Sequence, residues 1–117
     1  MITEYGKAVR KARITLGITM SQMANELKCS LAYLSAMENG KRPIPIEYVK
    51  MTEAYFVRMG LLENLNLKAL ADLSNQCVCL KDLKTDVQNL IVEIAQTELS
   101  DDDVRKMHEI LTNAKNR

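Results

Sequence analysis

Between Thr19 and Arg42 the chain reads TMSQMANELKCSLAYLSAMENGKR, two short amphipathic segments separated by only a few residues and closed by Asn39-Gly40. Thr19 stands three residues before Gln22, a capping-box spacing, and Met23, Ala24 and Leu27 give the first segment one apolar stripe. Ser30 is a capping residue for the second segment, Leu31 to Glu38, in which Leu34 and Met37 face inward. So short a link forces the two helices to cross at once. Ala24 is small where they must approach closely, and Cys29 offers a small apolar plug in the turn.

The same signals extend through the rest of the chain. A first helix is expected from Thr3 to Leu16, with Val9, Ala12, Arg13 and Leu16 at helical spacing and Gly17 as a left-handed cap; the second helix runs from Thr19 to about Lys28. Arg42-Pro43-Ile44-Pro45 must be extended, because proline disfavours helix for the residue before it. Pro45 then opens a fourth helix carrying Tyr48, Val49, Met51, Thr52, Tyr55 and Phe56 to about Met59, and a fifth takes Leu62 to about Leu73. Residues 76–84 are β-prone, so a short strand at about 77–83 or an extended connector is expected. Thr85 with Gln88 opens a sixth helix. Ser100 with Asp103 opens a seventh, whose Asp101, Asp102 and Asp103 complement the helix dipole. The last two helices are expected to form a hairpin.

Composition fits this all-α reading. The chain has 117 residues, with four Tyr, one Phe and no Trp, so its core must come from Leu, Ile, Val, Met and Ala. That length holds one compact domain, or a small domain with an appended oligomerisation segment, and excludes two large domains. The boundary is expected between 1–75 and 76–117. No apolar run approaches the roughly 20 residues of a membrane span, and Met1-Ile2-Thr3-Glu4 lacks the basic-then-apolar start of a signal peptide. A cytoplasmic protein is expected. Charge is uneven along the chain: residues 1–60 hold nine Lys or Arg against five acids, and residues 61–117 hold seven against ten. Contact with a polyanion therefore belongs to the first half.

Cys29, Cys77 and Cys79 are an odd set beside a single His, and no second ligand pair completes a zinc site. Neither metal nor cofactor is expected, and the thiols read as reduced and mostly buried, with a redox switch through Cys77 and Cys79 as the alternative. His108 reads as a surface residue on a polar helix. An enzyme is not expected, since there is no Gly-rich phosphate loop and no nucleophile with a base at recognisable spacing.

A short helix, a tight turn and a second short helix followed by Asn-Gly-Lys-Arg is the pattern that lays a helix in a major groove of DNA. From about Lys7 to Pro45 the chain resembles the Cro/CI-type (XRE) helix-turn-helix family of phage repressors, in the joint pattern of Arg13, Leu16-Gly17, Thr19, Ala24, Ser30, Leu34 and Glu38-Asn39-Gly40. The variant SLAYLSAMENGKRPIP resembles a subgroup of such regulators encoded on phages, plasmids and other mobile elements. The resemblance implies a five-helix lambda-repressor-like domain followed by the C-terminal hairpin.

It further implies that the third helix is the recognition helix, with Leu31, Ala32, Ser35 and Ala36 at base-facing positions. Those positions often hold Gln, Arg or Asn in the family. Here the apolar groups suit thymine methyls and the hydroxyl suits several bases, and DNA shape is expected to carry part of the specificity. Asn39, Lys41 and Arg42 fall where the family meets the phosphate backbone, joined by the Ser30 and Thr19 cap regions and by the Tyr33 hydroxyl. Met20 stands where the family commonly has a Gln that orients the recognition helix, and Lys28 replaces a frequent Gly in the turn. The family pairs the positions of Arg13 and Glu38 in an ion pair tying the first helix to the third.

One recognition helix reads too few base pairs for useful discrimination, so a homodimer on an inverted repeat is expected. Val87, Leu90, Ile91, Ile94, Val104, Met107 and Leu111 supply spare apolar surface for it. The function expected is a sequence-specific transcriptional regulator, a repressor or autorepressor binding operator DNA. The alternative is an antitoxin that neutralises a partner protein through its C-terminal half and autoregulates its operon.

Overall fold

The computed structural model describes residues 1–117, which fold as seven helices with no strand. They fall into two compact units, Met1–Val78 and Cys79–Arg117. No helix is long and apolar enough to cross a membrane.

The first unit holds five helices whose ends follow local capping chemistry. In α1 (Glu4–Leu16) the Thr3 side chain accepts from the Gly6 amide, and Gly17, at φ 69°, turns the chain out of the helix. In α2 (Met20–Glu26) Thr19 and Gln22 exchange both bonds of a capping box. Lys28 follows at φ 57°, so this turn holds a left-handed non-glycine residue. A side chain there costs on the order of 1 kcal/mol against glycine. The turn closes where the Cys29 amide donates to the Ala24 carbonyl. Ser30 caps α3 (Leu31–Glu38) by accepting from the Tyr33 amide, and Gly40 at φ 72° ends it. Pro45 occupies the cap position of α4 (Ile46–Arg58) rather than its first turn.

The fifth helix starts later than the leucine spacing predicts. It is α5 (Leu67–Asn75), not Leu62 to Leu73. Asn64 Oδ1 accepts from the Asn66 amide and Asn66 is left-handed, so turn chemistry overrides the apolar repeat and leaves Leu62 99% exposed. The core lies among α1 to α5, with Val9, Met23, Leu34, Met37, Ile44, Val49, Phe56 and Leu67 all buried. Its polar members are Arg13, Glu38 and Thr52.

The strand expected at 77–83 is absent, and the alternative of an extended connector holds. The Cys77 amide is spent on the Asp72 carbonyl, closing α5, and no second strand exists to accept a ladder. In the second unit, α6 (Thr85–Gln96) is capped at Lys84, not by the expected Thr85–Gln88 box; Gln88 Nε2 instead donates to the Leu83 carbonyl. α7 (Asp101–Lys115) does form its Ser100–Asp103 capping box. Neither helix contains a buried residue. The expected hairpin is thus two consecutive helices without a core of their own.

Burial of Tyr5 in the first unit has a measurable consequence. Desolvation pushes its hydroxyl from the ordinary value of 10.0 up to about 12, partly offset by hydrogen bonding with Thr52. Above pH 10 the unfolded chain loses this proton while the folded one keeps it, so stability fully present below pH 10 drains away as the pH rises to about 12. At about 1.4 kcal/mol per pH unit the loss is on the order of 2–3 kcal/mol. Urea midpoints should fall across this window in the native protein and fall less in Tyr5→Phe. Parallel curves for the two proteins would refute the assignment.

Candidate nucleic-acid interface

The third helix has two faces. Leu34, Met37 and Glu38 recur at helical spacing and are buried, which turns the opposite side outward. On that side Ser30, Leu31 and Ala32 are exposed, Leu31 at 47%, while Tyr33, Ser35, Ala36 and Asn39 are half-buried. Lys41 and Arg42 follow at once and are exposed. The structure therefore brings the amino end of α3, the face carrying Ala36, and two cations into one region of the first unit.

Some of these groups are already engaged. Asn39 Nδ2 donates to the Ser35 carbonyl at 2.9 Å and to Ser35 Oγ at 3.2 Å. The Ser35 hydroxyl proton stays free to be donated outward. The Arg42 guanidinium lies 5.4 Å from the centre of the Tyr33 ring, and Tyr33 in turn meets Tyr48 of α4 at 5.6 Å between centroids. Tyr33 thus acts chiefly as a platform for Arg42. Thr19 is exposed, and its side chain and amide are both bound to Gln22. Met20 is half-buried and packs on the core, its thioether filling space beside α2.

Behind the surface, α3 is fastened to α1. Arg13, 5% exposed, grips the fully buried Glu38 with two parallel bonds, Nη1 to Oε2 at 2.6 Å and Nη2 to Oε1 at 2.9 Å. Arg13 Nη1 also reaches Met23 Sδ at 3.3 Å, which brings α2 into the same joint. The Glu38 carbonyl accepts from both the amide and the hydroxyl of Thr3, at 3.1 and 2.9 Å. Gly6 sits beneath it: a Cβ there would come within 2.2 Å of the same oxygen. Thr3 and Gly6 were not among the site residues expected from sequence, although a glycine inside a helical pattern is the signal of such a close approach.

The residues expected for dimerisation all belong to the second unit. Val87, Leu90, Ile94, Val104 and Leu111 are exposed on α6 and α7, and Ile91 and Met107 are half-buried. Val92 and Ile110 add exposed apolar surface outside that stripe. Cys29 is half-buried, and burial raises its thiol above the ordinary range. Cys77 and Cys79 are exposed, contrary to the expected burial, because the segment that carries them adds no side chain to the hydrophobic core. No cluster of three or more His, Cys, Asp or Glu could hold a metal ion.

Residues 9–62, from the second turn of α1 past the end of α4, match a protein-family model described as "Helix-turn-helix". No curated protein and no solved structure gives a significant match to the chain.

Proposed function

We propose that residues 9–62, which match the helix-turn-helix family model, form a Cro/CI-type (XRE-family) DNA-binding module, and that the chain is a repressor or autorepressor that binds an inverted-repeat operator as a homodimer. The observation that carries this is the outward amino end of α3, followed by the exposed Lys41 and Arg42. Leu31, Ala32 and Ala36 suit thymine methyls, and the free Ser35 proton suits a base acceptor. Lys41 and Arg42 meet phosphates, which fix register without reading sequence. Thr19, Ser30 and Asn39 border the same contact.

The second copy is proposed to dock on α6 and α7. Isolated helices of this length are marginal in water, and neither buries a side chain within its own chain. Pairing Val87, Leu90, Ile91 and Ile94 with Val104, Met107 and Leu111 across a two-fold axis supplies the missing core. Half-sites then lie about one helical turn of DNA apart.

Selection of bound duplexes from random DNA, together with a native mass, tests the proposal. An inverted repeat and a mass of two chains are expected. Arg42→Ala should weaken specific and nonspecific binding alike and make the dependence of log K on log salt shallower by about one. Selection that returns no shared sequence overturns the regulator, and a complex with a different protein on α6 and α7 overturns the homodimer.

A further inference from the structure

The loop that carries Arg42 is held from both ends. On its upstream side the Lys41 and Arg42 amides both donate to the Ala36 carbonyl, at 2.9 and 3.3 Å. Pro43 and Pro45 fix two backbone angles on its downstream side. Between them Ile44 is buried, and its backbone is gripped by a side chain distant in sequence: the Ile44 amide donates to Asn75 Oδ1 at 2.8 Å, and Asn75 Nδ2 donates to the Ile44 carbonyl at 3.0 Å. Asn75 is the last residue of α5 and stands well away from α3 in the chain. A carboxamide carries its acceptor and its donor on separate atoms side by side, and so spans the amide and the carbonyl of one residue at once.

We propose that Asn75 is a positioning residue for the DNA contact, holding the 41–45 loop so that Arg42 reaches phosphate from a fixed place on its Tyr33–Tyr48 platform. The proposal rests on the DNA reading above. A long cation on a free loop loses mobility each time it binds, whereas one already fixed by its backbone and by a stacked ring loses less. Pro43 alone separates Arg42 from the residue that Asn75 holds, so the constraint is passed through a single stiff residue. Asn75 contributes no charge and no contact with DNA. Its effect runs through Arg42 alone.

This sets it apart from a merely structural residue, because a structural residue would lower stability without altering what Arg42 does. The test is a double-mutant cycle in the full chain, with Arg42→Ala, Asn75→Ala and the double variant, measured on the duplex selected above over a series of salt concentrations. Thermal melts show that each variant is folded at the assay temperature. Arg42→Ala should weaken binding about tenfold in the native background and less than about threefold once Asn75 is Ala. Asn75→Ala alone should make the salt dependence shallower, as loss of one phosphate contact does. Asn75→Ser keeps a neutral donor and acceptor on a side chain too short to span both Ile44 groups, adds no charge, and should fall between native and Ala. It serves as the test variant if the alanine protein melts too low.

Additive losses, or an unchanged salt slope in Asn75→Ala, overturn this proposal and leave the regulator standing. Failure of the native chain to bind any duplex overturns both.

Discussion

Replacing Glu38 with alanine lowers the stability of the N-terminal unit by about 3–5 kcal/mol, the cost of stranding a buried charge. The carboxylate is fully buried and both its oxygens are bound by Arg13, so its removal leaves a guanidinium with 5% exposure and only a methionine sulfur beside it. A domain of this size has roughly 5–15 kcal/mol in hand, and the variant should be substantially unfolded at 37 °C. Coulomb attraction between the two groups does not by itself explain the effect. Taking both charges out of water is costly, and replacing both with apolar groups of similar volume is often neutral or better. The double variant Arg13→Met with Glu38→Leu should therefore recover most of what Glu38→Ala loses. Denaturant midpoints of the three proteins decide the matter. A single variant within about 1 kcal/mol of native would mean that water reaches Arg13 when its partner is gone.

Leu90→Glu with Ile94→Glu should reduce the native mass to one chain and cut operator affinity on the order of 10³-fold, toward the nonspecific level. Both residues lie on the exposed stripe of α6, Leu90 at 54% and Ile94 at 39%. Two carboxylates facing their symmetry mates introduce repulsion in place of apolar contact. The first unit should melt unchanged, because α6 lends it no buried side chain. Undiminished operator binding by a single-chain species would show that one recognition helix suffices. A variant that stays two chains would put the interface elsewhere.

Much of the proposed interface was legible before any coordinates, because it is written in local chemistry. Thr19–Gln22, Ser30, Gly17 and Gly40 are capping and turn signals that act within a few residues, and each is found where the sequence places it. The Arg13–Glu38 pair came from family resemblance, since Arg13 lies within an apolar stripe that gives no hint of a buried charge. What escaped was non-local or competitive. Leucines at 62, 65, 70 and 73 carry a helical repeat, yet the Asn64–Asn66 turn wins over it. Residues 77–83 favour a strand by composition and find no partner. Cys77 and Cys79 look buried by residue type and are exposed by position. Asn75 has no local pattern at all, because its partner is the backbone of Ile44, which any residue would present.

The placement of the tyrosines gives the molecule its own optical reporter. With no tryptophan to mask them, four phenols supply all the near-ultraviolet emission. Tyr5 and Tyr55 are sealed in the interior, and the remaining two are the tilted pair at the foot of Arg42. Titrating unlabelled duplex into the protein should therefore change a signal from just those two rings, while heating should bring up the signal of the sealed pair. Docking and melting can be followed in one cuvette with no dye attached.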